Sequence, residues 1–590
     1  MQNLLIKKYG IWLAFILFLL LIVGTAGWYF RIDLTAEKRY TLSPSTRQLL
    51  SDLDSTIHIQ VMLTGDLPAN DKKLSVATAE LLDEFKAVSG KHLRVNFSLP
   101  DESNLNDSLR ARLYDSLLRL GVVFETSQEV TDRKKKKVTQ RIIPSALITY
   151  RADQPPIAID LRSGRKIFQP FDVINEMPRE DEEATRNAAE ALLEYKFADA
   201  IHQLTRQRIP VVAYVTGNGE PVDYSVSDLV EVLRNRYRLG IFDLKQGFPN
   251  PALIQALIIV KPTQPFSEED KLKLDQYVMQ GGKILWCIDR LHAELDSLMR
   301  SQAAYTAFDR GLELDDILFR YGVRIRNDLL QDLNCAKIPL VVGKNPDGSP
   351  IMRRIPWPYY PFLSARTPHP ISANLDRVLP IFPSGIDTVK SPGIQKTILL
   401  ATDSNSRSIS SPALVTLNSV RSDEDFLSFN KSYLPVAVLL EGNFNSLFAG
   451  RAGDGLKDSV RRASGYPFAP VSVQPTSQIV VSDANLVTNA VTAGGGPQSM
   501  GQLPFDNYRF ANRDFLLNAL DYLVSERKLY ESRNKDFVLR LLDKKRVEEE
   551  RVFWQLINLL GPILILIIAA LLLTRYRQHK FSATNNQSST

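Results

Sequence analysis

The period of apolar and polar positions changes several times along this chain. Residues 11–30 carry no charge across twenty positions, and residues 553–574 carry none across twenty-two. Each run is long enough to cross about 30 Å of hydrocarbon as a helix. Close after the first run, Ser43-Pro44 reads as a helix N-cap with proline at the first helical position, and Arg47, Leu49, Leu50 and Leu53 continue a short helix. Residues 57–63 alternate as a strand does. Leu74, Ala77, Leu81, Leu82, Phe85 and Val88 then follow helical spacing up to Ser89-Gly90, and residues 92–99 alternate again. Strand, helix and strand predict a βαβ unit. A helix over 106–120 follows, with strands at 122–130 and 138–150.

A helix over 180–207, acidic at its start and basic at its end, matches the helix dipole. Beyond it the pattern becomes repeated α/β. Residues 210–215 read as a strand, 223–236 as a helix and 253–260 as containing an apolar strand. Ser267-Glu268-Glu269-Asp270 opens a helix that Gly281-Gly282 stops, and 283–289 form another strand. Nearly continuous apolar strands alternating with helices predict a parallel sheet covered on both faces. From 335 to about 475 the chain is rich in proline and in short strands, among them 355–361, 398–402 and 434–440. A strand at 478–483 and a helix at 512–524 close the same α/β region. Residues 534–551 are charged with helical spacing and run straight into the second apolar run, so both connections to the bilayer read as stiff.

Charge changes the picture at the two runs. Lys7 and Lys8 precede the first; Arg575, Arg577 and Lys580 follow the second. The positive-inside rule puts both ends in the cytoplasm and the segment between them outside. A cleaved signal peptide is the other reading of 11–30, but the length of the run and its Trp28-Tyr29-Phe30 end favour a retained span. Without those five basic residues the chain has 67 basic against 66 acidic side chains, so the large middle part is near neutral and does not read as a nucleic-acid surface. Arg133 to Lys137 form one basic run, read as a solvated hairpin tip with contact to anionic lipid or an acidic partner as the alternative. A disulfide between Cys287 and Cys335 is permitted in an outer compartment, though Cys287 lies in an apolar strand, where buried free cysteine is common.

The chemistry-bearing motifs are few. There is no phosphate loop of the G-x-x-x-x-G-K-[ST] kind and no G-x-S-x-G elbow, and the six histidines are scattered. No cofactor or metal is expected. Cys287 with His292 is the best enzymatic pair, but a strand position without flanking glycines suits core packing better. The loop Thr216, Gly217, Asn218, Gly219 and Glu220 follows the first strand of the α/β region, at the carboxyl edge where such sheets bind ligands. Its glycines would let backbone approach a ligand and Glu220 would accept hydrogen bonds; a purely structural turn is the equal alternative. In the second apolar run, Asn558, Gly561 and Pro562 are the candidates for contact with a partner helix or for a kink.

Asp33-Leu34-Thr35, Tyr40-Thr41-Leu42-Ser43, Asp83-Glu84-Phe85, the loop at 216–220 and the stretch Asn512 to Leu520 (NRDFLLNAL), with the two-anchor layout, resemble the GldG family of gliding-motility-associated ABC transporter components. The α/β region also resembles the glutamine-amidotransferase-like domain shared with intraflagellar transport proteins, without the G-x-C-x-G nucleophile elbow. The resemblance implies a non-enzymatic auxiliary subunit that works with a separate ABC permease and a separate ATPase in the inner membrane, in contact with lipid. A periplasmic ligand-binding module and a diverged amidotransferase-like hydrolase are the alternatives.

The expected class is α/β. The organisation is a cytoplasmic N-terminus (1–10), a transmembrane helix (11–30), an N-terminal periplasmic α+β domain (31–178) and a connecting helix (179–207). An amidotransferase-like, flavodoxin-like α/β domain with insertions (208–530), a juxtamembrane helix (531–552), a second transmembrane helix (553–574) and a cytoplasmic tail (575–590) follow.

Overall fold

The computed structural model describes residues 41–582 apart from 101–105, 131–136, 163–164, 168–179, 295–297, 299–303, 418–422, 493, 507, 526–528 and 535–543. The first apolar run, residues 11–30, lies outside the described residues, as does the exit stretch up to Tyr40. The chain divides into two units, Met1–Phe537 and Val538–Thr590.

The first element is the expected capped helix. Ser43 sits in extended conformation and accepts from the Thr46 amide through its side chain, with Pro44 opening helix α1, Pro44–Ser51. Strand β1 (Ile57–Val61), helix α2 (Ala69–Ser89) and strand β2 (Leu93–Phe97) form the βαβ unit, and β1 and β2 pair in parallel. A strand pair, Glu125–Val130 with Lys137–Ile142, brackets the basic run; its tip, 131–136, is outside the described residues. The single strand expected over 138–150 is in fact two. Ile143-Pro144 breaks it, because proline has no amide to donate to a ladder, and β3 (Ser145–Thr149) turns away to pair antiparallel with β1. Strand β4 (Ile157–Asp160) completes a four-stranded sheet in the order β2-β1-β3-β4. Helix α3 (Glu182–Thr205), expected as a connector, packs its Ala189, Leu193, Phe197, Ile201 and Leu204 into the core of this sheet, with Phe197 edge-on to Phe85 at 6.4 Å.

The large sheet is built on β5 (Val211–Thr216), β6 (Arg238–Asp243), β7 (Ala256–Val260), β8 (Lys283–Cys287), β9 (Ser364–Ala365), β10 (Ile394–Ala401), β11 (Pro435–Gly442) and β12 (Thr476–Val481). Its order is β9-β10-β11-β12-β8-β7-β5-β6. Strands β12, β8, β7, β5 and β6 run parallel. Their order, 2-1-3-4-5 counted along the chain, is the flavodoxin-like one, with its switch point between β5 and β7. The expected parallel sheet is present as these five strands, and β11, β10 and β9 extend it antiparallel.

Both faces are covered, for the reason the apolar runs predict. Val212 and Tyr214 of β5 face one core with Leu229 and Leu233 of helix α4 (Ser227–Arg236) and Phe515, Leu516 and Leu520 of helix α7 (Asn512–Val524). Ala213 and Val215 face the other core with Leu274 and Tyr277 of helix α5 (Glu268–Met279) and Ile317 and Tyr321 of helix α6 (Asp315–Tyr321). A strand buried on both sides cannot alternate in polarity. The Ser267 capping box of α5 is present: the Ser267 side chain accepts from the Asp270 amide and Asp270 accepts from the Ser267 amide. Cys287 and Cys335 are both free and buried, so the permitted disulfide is not formed.

In the proline-rich stretch the strands expected at 398–402 and 434–440 fall in β10 and β11, but 355–361 belongs to a longer element. Cys335–Lys344 and Pro350–Pro361 pair as one long hairpin, anchored at its base by Trp357, Tyr359 and Tyr360 in a separate aromatic core with Phe382. In the second unit, helix α8 (Lys544–Ser582) runs unbroken through Pro562. Within its segment Glu550–Gln578, an eighteen-residue stretch has a mean hydropathy of 2.8 and none of that stretch is buried, so the helix is long and apolar enough to cross a membrane.

Candidate functional site at the switch point of the sheet

The loop after β5 lies at the switch point, where parallel α/β sheets open a crevice. Gly217 and Gly219 both adopt positive φ, +119° and +78°. A Cβ on Gly219 would collide with Thr263 Oγ1, so the close approach that this glycine allows is to the segment following β7. The Thr263 and Gln264 amides donate to Asn218 O at 3.0 and 2.9 Å, and Thr263 Oγ1 donates to Gly219 O at 3.0 Å. Asn218 is fully buried. Its amide donates to Glu220 Oε2 at 2.7 Å, and its Nδ2 donates to Pro265 O at 3.1 Å and to Asp270 Oδ2 at 3.4 Å.

The loop is thus tied to the N-terminus of α5. Asp270 also takes a 2.5 Å ion pair from Lys245. Burial works to raise the Asp270 carboxyl, but the hydrogen bonds from Lys245, Ser267 and Asn218 outweigh it and hold the group below its usual range. Glu220 is also buried, and that burial pushes its carboxyl up against the bonds from its own backbone and the Asn218 amide. Asn218 Oδ1 and Glu220 Oε1 are buried with no hydrogen-bond partner among the described residues. Thr216 closes β5 and its carbonyl accepts from the Leu244 amide at 2.9 Å.

Along the same edge lies a group that sequence reasoning missed. Lys261, just past β7, has a φ of +48°, and its amide donates to Cys287 O at 2.9 Å. Its Nζ stands 3.0 Å from Asn485 Oδ1, 3.7 Å from Asp289 and 3.6 Å from Glu294. Asp289 Oδ1 accepts from the Ala484 amide at 2.6 Å, and Asp483 accepts from the Ile381 and Asn485 amides at 2.6 and 2.8 Å. Burial, with the Asp289 carboxylate beside it, pushes Asp483 well above the usual carboxyl range. Asp289 and Asp483 lie almost two hundred residues apart in sequence, and no local spacing relates them. The local signal that was available is that each is an acid two residues past the end of an apolar strand, as Lys261 is a base one residue past another.

Cys287 ends β8 within the core. Burial drives its thiol well above the usual range, and His292 stacks its ring on Phe308 at 5.5 Å. An unreactive buried thiol fits core packing. Among the described residues no group of acidic, histidine and cysteine side chains is arranged to hold a metal ion. Asn558, Gly561 and Pro562 fall in the middle of α8; the Asn558 and Pro562 side chains are exposed on it.

The stretch 512–520 is a structural clasp. Asn512 is fully buried; it donates to the carbonyls of Leu379 and Leu486 at 2.8 and 3.0 Å and accepts from the Leu379 amide at 2.9 Å. Asn518 donates to Ile371 O at 3.0 Å, and Arg513 pairs with Asp228. Asn512 and Asn518 hold the inserted segment 371–379 onto the covering helix, and Arg513 ties that helix to α4. A family model described as an ABC-type uncharacterized transport system matches residues 209–519, more than half of the chain, from the start of the large sheet through this clasp.

The chain belongs to this ABC-transport auxiliary family. A second model, described as a domain of unknown function (DUF7088), matches 36–149, the region of the small sheet. No curated protein matches the chain. Among solved structures, the mmIFT52 N-terminal domain is 11% identical, covering 53% of this chain and 97% of its own, with a TM-score of 0.30. A ThuA-like protein from Parabacteroides merdae ATCC 43184 is 12% identical over 54% of this chain and 90% of its own, at 0.25. The exo-beta-1,4-mannosidase Op5Man5 from Opitutaceae bacterium strain TAV5 is 11% identical over 75% and 51%, at 0.20. These likenesses are too distant to assign a function to the ABC-transport auxiliary chain.

Proposed function

We propose that this ABC-transport auxiliary protein is a non-enzymatic accessory subunit that joins a separate permease and a separate ATPase in the inner membrane of a gliding bacterium. In this reading residues 11–30 and 553–574 are its two spans, both ends are cytoplasmic, and the two-sheet body stands in the periplasm. The observation that carries the reading is the family match together with an unburied apolar helix, Glu550–Gln578. Such a helix is stable only against lipid or other apolar helices, and Asn558 on it can hydrogen-bond across a helix pair. The buried Cys287 thiol, with its ionisation suppressed, argues against a thiol hydrolase. Affinity purification of the tagged chain in mild detergent tests the proposal: a permease and an ATPase should co-elute, and recovery of the chain alone would sink it.

A second reading keeps the switch-point loop as a ligand site. Asn218 Oδ1 and Glu220 Oε1 are two buried acceptors with no donor, which a hydroxyl-bearing envelope ligand such as a sugar would satisfy. Saturation-transfer NMR with an N-acetylhexosamine should give a signal that Glu220→Gln removes while the complex still assembles. Equal signals from both proteins would rule the site out.

A further inference from the structure

On the antiparallel side of the large sheet lies an open cleft of about 750 Å³. Its walls come from four places: the end of α6, the two-stranded ladder Val323–Ile325 with Ile386–Thr388 and the residues after it, Ile398 of β10, and the turn that leads into β11. Strand periodicity explains the polarity of its floor. Val323 and Ile325 are buried, so Arg324 between them points outward, directly opposite Asp387. Arg326 follows, and its guanidinium packs over Gly385, where any Cβ would collide with Nη2 and Nε. Residue 385 must be glycine for the guanidinium to lie there.

The charges do not balance. Arg324, Arg326 and Lys390 line the cleft, and Asp387 is the one carboxylate among the lining residues. Asp387 serves two arginines, 2.6 Å from Arg324 and 3.7 Å from Arg326. Arg326 Nε stands 3.0 Å from Asp328, whose other oxygen accepts from the Gly385 amide at 2.9 Å. Arg326 Nη2 is buried with no acceptor among the described residues. Lys390 is exposed and makes no ion pair among them. With Asp387 and Asp328 serving the two arginines, the surplus positive charge of the cleft is that of Lys390.

Two aromatic rings border this charge. Phe319 is 53% exposed and Tyr433 is 41% exposed, high values for rings beside a recess. Tyr433 adopts a φ of +57°, a costly conformation for a non-glycine residue, held by its amide bond to Asp403 O at 2.9 Å. The Arg366 guanidinium covers its ring at 3.5 Å.

We propose that this cleft binds an organic phosphate monoester. Its dianionic phosphate sits against Arg326, Arg324 and Lys390, and its apolar or planar body lies on Phe319 and Tyr433. The unpaired Lys390 calls for an anion, and a phosphate offers three acceptor oxygens to the two guanidiniums where a carboxylate offers two. Guanidinium groups favour phosphate oxygens through paired N–H donors, and the orphan Nη2 of Arg326 gains the acceptor that it lacks. The site lies away from the switch-point crevice and stands independently of the accessory-subunit reading.

Phenyl phosphate is the test probe, titrated by calorimetry into the full chain in detergent. Benzoate, inorganic phosphate and phenol are the comparisons. Phenyl phosphate should bind saturably and more tightly than all three. Arg324→Gln with Lys390→Ala, both exposed positions whose loss leaves the fold intact, should weaken it about tenfold or more. Asp387→Asn should strengthen it, because the competing carboxylate is gone. Added salt should weaken binding to the wild type and affect the double variant less. Absence of saturable binding, equal binding of benzoate, equal binding of inorganic phosphate, or indifference to the double variant would each overturn the proposal.

Discussion

The two halves of the large sheet treat the polar groups at their margins in opposite ways. At the parallel carboxyl edge, where the fold opens a crevice, the protein fills it from within. Asn218 ties the loop after β5 to Thr263, Gln264 and Asp270, while Lys261 sits among Asn485, Asp289 and Glu294. On the antiparallel side, three cations and two aromatic rings surround an open cleft with a single carboxylate among them. A buried polar group left without a partner is costly, so the crowded edge must be nearly self-satisfied. The open cleft leaves its charges to water and can exchange that water for a ligand. In this family member the edge that general fold rules mark for binding is largely tied up by its own side chains, and the extension carries the surplus charge.

Three measurements break or sharpen this contrast. The largest effect is expected at the ion network that locks the parallel half to α3. Arg236 pairs with Asp199 at 2.7 Å and with Asp521 at 2.5 Å, all three largely buried, and Tyr237 donates to Asp521 at 2.5 Å. Arg236→Met removes the shared partner of two buried carboxylates, leaving Asp521 only the more distant Arg533 at 3.8 Å, and should cost about 3–5 kcal/mol by denaturant unfolding of the detergent-solubilised chain. A loss below about 1 kcal/mol would mean that the parallel half is not held in this way.

Gly219→Val comes next. It combines a left-handed non-glycine residue with a collision against Thr263 Oγ1, together about 2–4 kcal/mol. An unchanged midpoint would show that the crevice is looser than its hydrogen bonds imply, and would favour a ligand there.

The smallest effect concerns pH on the antiparallel side. His369 is half-buried beside Tyr522, and its Nδ1 accepts from the Ile371 amide at 3.3 Å, so burial favours the neutral ring and lowers its pKa to about 4. The unfolded chain takes up the proton near pH 6.5, before the folded one does. Stability is therefore fully present above about 6.5 and falls as pH drops toward 4, by about 1–2 kcal/mol after allowance for partial exposure. His369→Asn keeps an acceptor without a titrating group and should flatten that part of the wild-type profile. Parallel profiles for both proteins would contradict the assignment.

Several local features were legible from residues alone, because they depend on near neighbours. Ser43-Pro44, the Ser267–Asp270 capping box, the helix over Glu182–Thr205 and the span ending α8 all follow from capping chemistry, dipole matching or an uninterrupted apolar run. The parallel strands were legible for a related reason: burial on two faces requires consecutive apolar residues. The break at Ile143-Pro144 and the Cys335–Pro361 hairpin were misread. A short apolar stretch does not reveal which partner it will pair with, and proline within a two-stranded ladder obscures the period.

The candidate sites divide along the same line. Sequence by itself determined the capped helices, the apolar strands, the membrane-length helix and the glycine loop after β5, since each is a property of adjacent residues. Tertiary structure alone decided that the Asn218 carbonyl meets the Thr263 and Gln264 amides, that Lys261 meets Asp289 and Asn485, and that Arg326, Asp387 and Tyr433 share one cleft. Those meetings depend on where distant strands return in register, and residues as far apart as Lys261 and Asn485 carry no local mark of one another until the sheet brings them together.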